Sequence, residues 1–169
     1  YALVDTLVGQ LGKMGFAPPV IVAGGSPSFP IHANRQGVEL SPGTTVLWDF
    51  CMVDTFNAMP FECAAFLLTR VVSKPNTGLL CFDLGHKAVA AEMPHPRVRI
   101  WGLEDCRFVS QNEEHLVVRT GRWHEFQVGD AFLGVPKHIC PTVALYDHVN
   151  VVENETVIGR WETAARHRL

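Results

Sequence analysis

The chain has 169 residues, 47% of them hydrophobic, which is enough apolar material for one folded domain or for one domain and part of a second. Its formal net charge of −3 and its singly scattered lysines and arginines exclude a basic surface for nucleic acid and a polybasic patch for a membrane. Because no apolar run reaches the roughly 18 residues of a membrane span, and the N-terminus lacks the pattern of a signal peptide, we expect a soluble, cytoplasmic protein.

The chain begins with a helical pattern and continues with an apolar run. In YALVDTLVGQLGKMGF, one stripe is formed at helical spacing by Leu3, Leu7, Leu11 and Met14. The run from Val20 to Ala23 then predicts a strand buried on both faces, as parallel strands usually are. A helix and a buried strand make one α/β unit, which cannot close a core alone. Since the sequence also lacks an initiator methionine, we expect missing sequence upstream.

From about residue 44 the pattern becomes one of short β-branched or aromatic runs. Examples are TTVLWDF, TGLLCFDLG and TVALYD, and they are separated by Pro, Gly, Asn and Asp at turn-like intervals. This pattern predicts a mainly antiparallel β-barrel or sandwich over residues 44 to 169. SPGTT, at residues 41 to 45, is the predicted joint between the two parts.

KHICPT places His138 and Cys140 two positions apart. In an extended strand these side chains would project from the same face, and Pro141 favours an extended backbone at Cys140. Imidazole and thiolate both bind zinc, but two protein ligands are too few for a closed structural site, so a metal here would keep open positions for catalysis. The alternative is a hydrogen-bonded histidine at a strand end beside a small buried cysteine.

A second candidate site is AGGSPSF, which follows the predicted buried strand. Gly24 and Gly25 could let a phosphate approach the backbone N–H groups, and Ser26 could add its hydroxyl. The alternative is a plain tight turn, because the stretch is not a complete phosphate-binding motif.

The other polar and sulfur-containing candidates favour structural roles. The five cysteines are widely spaced without a CxxC pair, which indicates mostly buried, reduced thiols. None of the four lysines follows a convincing buried parallel strand, where a Schiff-base lysine would be held. Solvated, capping or structural roles are expected for Asp49, Asp54, Asp83, His86, Glu114, His115, Asp147 and His148.

Six motifs together resemble a known family. AGGSPSF, LSPGTTVLWD, FDLGHKAVA, EEHLVV, VGDAFLGVPKHICPTVALYDHVNVVEN and RWETAARHR are similar, in that order, to the C-terminal half of the D-serine dehydratase and D-threonine aldolase group. These are pyridoxal phosphate (PLP) enzymes of the alanine-racemase-like fold, fold type III. The resemblance runs over nearly the whole chain, and its most specific piece is PxHxCPT.

The resemblance implies a domain organisation and a set of site residues. Residues 1–34 would be the last helix and strand of a PLP-binding (β/α)8 barrel, and residues 35–169 a C-terminal metal-binding β-domain. Gly24, Gly25 and Ser26 match the loop that helps to hold the cofactor phosphate, and His138 and Cys140 match the two protein ligands of a divalent metal. The Schiff-base lysine has no counterpart here, so the chain would be part of an enzyme, which in this family is typically a homodimer.

The ligand pair also bears on the reaction. Within the family a His-x-Cys pair resembles the zinc-dependent dehydratases, whereas the aldolases tend to have His-x-Asp and a harder ion such as manganese, as ligand softness predicts. The resemblance therefore implies β-elimination of a D-3-hydroxy amino acid, with D-serine giving pyruvate and ammonia. Two alternatives remain: a D-threonine aldolase-type lyase and a non-catalytic metal-binding β-domain. The alternative metal is Mn²⁺.

Overall fold

The computed structural model describes residues 1–166 and contains two compact units, Tyr1–Thr45 and Val46–Leu169. The last three residues of the second unit, which end the RWETAARHR motif and the predicted β-domain, lie outside the described residues. Each unit has its own sheet or sheets.

The first unit is a small α/β unit with two parallel strands. It consists of α1 (Ala2–Lys13), β1 (Ile21–Gly24), α2 (Phe29–His32) and β2 (Val38–Ser41). β1 pairs in parallel with β2, so that Ile21 lies opposite Val38 and Gly24 opposite Ser41. β2 belongs to this sheet, and the unit continues to Thr45. The domain boundary expected after residue 34 stays a prediction.

The predicted helix and strand of the first unit both form, but within this unit the strand is not buried on both faces. Within β1 only Ala23 is buried, whereas Val22 is 54% exposed. α1 has no buried residue, and Leu3 on its apolar stripe is 85% exposed. The two helices and the second strand of this unit alone do not cover both faces of β1, so burial of the strand on both faces stays a prediction for the intact protein.

The second unit is dominated by antiparallel strands, which confirms the predicted fold class. A six-stranded sheet has the order β5-β8-β3-β4-β7-β6, and β9 and β10 form a separate antiparallel hairpin. The six strands, in chain order, are β3 (Leu67–Ser73), β4 (Leu79–Phe82), β5 (Val98–Ile100), β6 (Arg107–Gln111), β7 (Leu116–Arg119) and β8 (Ala131–Pro136). The remaining elements are α3 (Phe50–Thr55), α4 (Ile139–Val143), β9 (His148–Glu153) and β10 (Thr156–Glu162).

The core of the second unit lies on one face of the six-stranded sheet. β3 shows the expected alternation: Leu67, Thr69 and Val71 are buried, while Leu68 and Arg70 are exposed. Neighbouring strands and the loops between them complete the apolar cluster with Leu80, Phe82, Leu84, Val89, Val98, Ile100, Leu103, Leu116 and Val118. This sheet forms the support on which the loops before β5 and after β8 are placed.

Two of the motifs that carry the family resemblance meet at Gly85. The backbone of FDLGHKAVA runs so close to Glu113 that a Cβ on Gly85 would collide with the Glu113 carbonyl. The backbone N–H of Lys87 donates to that same carbonyl at 3.1 Å, and the Lys87 ammonium forms ion pairs with Glu113 and Glu114. A glycine is therefore required here for two motifs about 28 residues apart to pack directly against each other.

No helix in the described part of the chain is long and apolar enough to cross a membrane.

Candidate metal centre and phosphate loop

His138 and Cys140 lie at the start of a short helix. The strand that the sequence predicted here is wrong. β8 ends at Pro136, His138 is the N-cap residue of α4, and Cys140 is the second residue of that helix. Pro141 does not prevent the helix, because in the first turn a backbone N–H has no acceptor within the helix and its loss removes no hydrogen bond. The two side chains are therefore on one helical turn.

Both candidate ligands are accessible. Cys140 is exposed, and the His138 side chain is 40% exposed. The ring nitrogen Nδ1 of His138 lies 2.5 Å from Oε1 of Glu92, a residue in the loop before β5. A nitrogen donor and a sulfur donor are thus both accessible to solvent at the start of α4, with a carboxylate directly beside the imidazole.

The backbone of this turn is held from both sides by buried polar side chains. Asp49, which is only 1% exposed, accepts a hydrogen bond from the Ile139 N–H at 3.0 Å. Thr142, also buried, donates its hydroxyl to the His138 carbonyl at 2.7 Å and accepts from the Ala90 N–H at 3.2 Å. The backbone atoms on either side of the His138–Cys140 pair therefore have fixed partners.

The loop that contains Glu92 is attached to the same region by its flanks. Besides the Ala90–Thr142 bond, the Lys137 N–H donates to the Arg97 carbonyl at 2.8 Å, and the Lys137 ammonium donates to the Pro94 carbonyl at 2.9 Å. Glu92 lies between these attachment points, so its position relative to His138 is restrained.

The donor set fits an open metal site and not a closed one. Among residues 1–166, no cluster of three or more His, Cys, Asp or Glu side chains is arranged to hold a metal ion. Two protein donors, one nitrogen and one sulfur, leave the other positions of a tetrahedral ion to water or substrate. Such an ion could act as a Lewis acid on a bound hydroxyl group.

Sequence reasoning missed Glu92 and Thr142 in this region. Glu92 is 46 residues from His138, and a lone glutamate in a Pro-containing loop carries no local signal of its partner. Asp49 was expected to be capping or structural, and it is the N-cap of α3, where its Oδ1 accepts from the Met52 N–H at 2.9 Å. Its second bond, to Ile139, could not be read from sequence.

The predicted phosphate loop begins where β1 ends. Gly25 has φ +93°, a left-handed conformation that suits glycine, and the N–H groups of Ser28 and Phe29 donate back to its carbonyl. The Ser28 hydroxyl donates to the Gly24 carbonyl at 3.0 Å. The stretch therefore forms a tight turn.

Ser26 distinguishes this loop from an ordinary turn. It is 3% exposed, and within the described residues its hydroxyl has no hydrogen-bond partner. Nδ1 of the nearby buried His32, at the end of α2, has none either. Buried polar atoms normally have partners, so the unit has hydrogen-bonding capacity that its own residues do not use. Ser26 with the Cβ-free Gly24 and Gly25 could supply it to a phosphate oxygen.

Asp83 has the structural role that the sequence predicted. The Asp83 carboxylate accepts from the Thr69 hydroxyl and from the Arg70 N–H, both at 2.7 Å, and ties β3 to the end of β4. The expectation of mostly buried cysteines is wrong: Cys81 is buried, but Cys51, Cys63 and Cys106 are half-buried and Cys140 is exposed.

The chain matches the family described as the putative serine dehydratase domain over residues 64–152, a range that includes His138 and Cys140. A D-threonine aldolase of Arthrobacter sp. is 32% identical over 92% of this chain and 42% of its own length. A 3-hydroxy-D-aspartate aldolase of Paracoccus denitrificans is 29% identical over 94% of this chain and 42% of its own length. The chain thus spans less than half the length of these curated relatives.

Solved structures show the same fold. The D-threonine aldolase from Filomicrobium marinum superposes with a TM-score of 0.83 at 22% identity, covering 94% of this chain and 44% of that one. The D-threo-3-hydroxyaspartate dehydratase from Delftia sp. HT23 superposes with a TM-score of 0.77 at 19% identity, covering 92% and 46%. A D-threo-3-hydroxyaspartate dehydratase has also been solved with a histidine replaced by alanine and, separately, with a cysteine two positions further along replaced by alanine, the latter in a metal-free form.

Proposed function

The chain belongs to the putative serine dehydratase domain family, and from this premise we propose that it is part of a PLP- and zinc-dependent lyase that dehydrates a D-3-hydroxy amino acid. The proposed substrate is D-serine and the products are pyruvate and ammonia. The observation that carries the proposal is the accessible His138–Cys140 pair at the start of α4. The histidine and cysteine variants of a related dehydratase, with the same two-residue spacing, support it.

The donor chemistry of the pair fits zinc. Thiolate and imidazole are the ligands that zinc prefers, whereas manganese or magnesium would favour carboxylate. When bound, the ion would supply a Lewis acid that stabilises negative charge on the hydroxyl group leaving the β-carbon. The task of His138 and Cys140 in the proposal is to hold the ion with positions open to substrate, and the task of Asp49 and Thr142 is to keep their backbone in place.

The loop at the end of β1 fits a phosphate group. The buried Ser26 hydroxyl, which has no hydrogen-bond partner among residues 1–166, could donate to a phosphate oxygen, and neither Gly24 nor Gly25 has a Cβ to block its approach. When bound, PLP would supply an electron sink for the charge left at the α-carbon of the substrate. The proposal assigns the covalent PLP lysine to a residue outside this sequence. Lys74, Lys87 and Lys137 direct their ammonium groups to carbonyl or carboxylate partners, and the fourth lysine, Lys13, is exposed in the last turn of α1.

A second candidate function is retro-aldol cleavage of D-threonine. The identity to an Arthrobacter D-threonine aldolase favours it. An aldolase would use its ion to bind the β-hydroxyl while a base takes the hydroxyl proton and the Cα–Cβ bond breaks. We place dehydration first because a sulfur ligand at position 140 favours zinc over the harder ions.

Product analysis of the intact protein distinguishes these functions. We expect pyruvate and ammonia from D-serine, and we expect both to stop when zinc is chelated. If D-threonine gives glycine and an aldehyde and no keto acid forms, the dehydratase proposal is wrong and the aldolase function is supported. If neither set of products forms with PLP and zinc present, the remaining alternative is a non-catalytic metal-binding β-domain.

The ligand assignment has its own test. We expect His138→Ala and Cys140→Ala to lose zinc while retaining PLP, with His115→Ala and Cys106→Ala as matched controls that retain both. Unchanged zinc content in either ligand variant would refute the assignment. The proposal further includes a homodimer in the cytoplasm acting on a small-molecule substrate, and sedimentation of the intact protein tests the dimer.

A further inference from the structure

Glu92 and His138 form the closest polar contact of the candidate metal centre. Oε1 of Glu92 lies 2.5 Å from Nδ1 of His138, which is a short distance even for a charge-assisted hydrogen bond. An ionised carboxylate can only accept a hydrogen bond, so the hydrogen between these atoms belongs to the imidazole Nδ1. In neutral His138 the lone pair is then on Nε2.

From this contact we infer that Glu92 is a positioning residue for the metal ligand: it fixes the tautomer and ring orientation of His138, so that His138 binds zinc through Nε2. The inference rests on the proposed metal-binding role of His138. A carboxylate that accepts a hydrogen bond from a ligating imidazole also makes the ring a better electron donor, and its negative charge offsets part of the charge of the ion.

Glu92 acts through His138 and is not itself a ligand. The described residues contain no cluster of three His, Cys, Asp or Glu side chains arranged around a common ion. Nδ1 is occupied by the carboxylate, which leaves Nε2 as the ring nitrogen available to a metal.

The contact is restrained well enough for this role. The loop of Glu92 is attached on one side by the Ala90–Thr142 hydrogen bond and on the other by the two bonds that Lys137 makes to Arg97 and Pro94. Thr142 also holds the His138 carbonyl, so one side chain connects the backbones of both partners.

A contribution to stability does not account for the contact. The two side chains are 45% and 40% exposed, and ion pairs with this much exposure contribute little to the free energy of unfolding. Its effect should therefore be measurable on metal binding and not on folding.

The first experiment measures zinc affinity of the protein by competition with a chelating dye. We expect the zinc dissociation constant of Glu92→Ala to rise about 10- to 100-fold, as for other partners of metal-binding histidines. Glu92→Gln should give an intermediate value, because its amide oxygen still accepts the Nδ1 hydrogen but carries no charge. Glu114→Ala, which removes another exposed glutamate with an ion-pair partner, is the matched control and should bind zinc as wild type does.

The second experiment reads the tautomer of His138 by ¹⁵N NMR. We expect a protonated Nδ1 in the zinc-free protein and a metal-bound Nε2 after zinc is added, and we expect the zinc-free Glu92→Ala protein to show a mixture of tautomers. A melting temperature unchanged by Glu92→Ala shows that the fold is intact. A merely structural role would not alter the tautomer.

Three results would overturn the inference: zinc on Nδ1, wild-type zinc affinity in Glu92→Ala, or loss of zinc from Glu92→Gln as complete as that from His138→Ala, which would make Glu92 a direct ligand. If His138→Ala itself retains zinc, the ligand assignment in the proposed function fails. If His138→Ala loses zinc and Glu92→Ala does not weaken it, only the positioning role fails.

Discussion

The carboxylate of Asp49 accepts a hydrogen bond from the backbone N–H of Ile139, 90 residues later in the chain, at 3.0 Å. The other carboxylate oxygen accepts from the Met52 N–H and caps α3. One buried side chain thus accepts a hydrogen bond from the first turn of each of two helices, and the second of these helices begins at the candidate zinc ligands.

We expect Asp49→Ala to lower the free energy of unfolding by about 2 to 4 kcal/mol, combining the loss of a helix cap with a buried N–H left without an acceptor. Zinc affinity should fall as well, because the backbone of Ile139 loses its fixed partner. Urea denaturation and zinc titration measure the two effects. Asp54→Ala is the control: its exposed ion pair with Arg99 should contribute less than about 1 kcal/mol. Equal destabilisation by both variants would contradict the bridging role.

Replacing Ser26 by alanine should weaken PLP binding without destabilising the cofactor-free protein. The reason is that the buried Ser26 hydroxyl has no partner among the described residues, so the folded chain loses no hydrogen bond. The PLP dissociation constant, measured by absorbance titration of the intact protein, should rise.

Ser28→Ala makes the matched comparison, because the Ser28 hydroxyl donates to the Gly24 carbonyl and its removal should lower stability even without PLP. If Ser26→Ala binds PLP as tightly as wild type, the loop is only a turn.

Cys140→Asp should change which metal is preferred. A carboxylate in place of the thiolate lowers the affinity for zinc and raises it for manganese, so the ratio of the two dissociation constants should shift by at least about tenfold. Cys140→Ser is the control, since it removes the thiolate without supplying a carboxylate. Competition titrations with both ions check this, and an unchanged ratio would show that Cys140 does not contact the metal.

Alkylation should modify Cys140 before the other cysteines, and bound zinc should slow the alkylation of Cys140. The thiolate is the reactive form of cysteine, and the pKa of the Cys106 thiol is raised by burial and then by the charges of Asp105 and Glu104. The pKa of Cys63 is raised by burial and by the negative charge of Asp49. Because a raised pKa means less thiolate at pH 8, both should react slowly, while Cys140 is exposed.

Mass spectrometry of peptides after brief alkylation at pH 8 measures the order of reaction. We expect Cys140 to react before Cys63 and Cys106, and added zinc to slow Cys140 alone. Raising the pH further should narrow the difference, because the two raised-pKa thiols then ionise. Equal protection of all three cysteines would indicate a general change in structure, and no protection of Cys140 would argue against it as a ligand.

The parts of the fold that depend on local patterns could be predicted from sequence. The alternation of Leu67, Thr69 and Val71 with exposed neighbours is a property of β3 itself, and the leucine spacing of α1 is a property of that helix. The burial of β1 could not be predicted in the same way, because exposure depends on the layers packed against a strand. The apolar run at Val22 meets no such layer in this unit.

In the candidate site, too, local features could be predicted from sequence and long-range contacts could not. The spacing of His138 and Cys140 would place both side chains on one face of a strand, whereas residues two apart on an α-helix do not face each other. In the structure His138 keeps an extended backbone as the N-cap, and only Cys140 lies within α4. The helix itself was not predictable, because α4 has only five residues and is held by Asp49 and Thr142. Contacts across 46 and 90 residues, to Glu92 and Asp49, leave no trace in local sequence.

The way this turn is anchored has a consequence for how such proteins diversify. Asp49 and Thr142 hold the turn by a backbone N–H and a backbone carbonyl, which nearly every amino acid provides. Both anchoring bonds therefore depend on backbone atoms and not on the side chain at position 140. A substitution at position 140 is expected to leave them in place, so the donor atom offered there can change while the turn is kept.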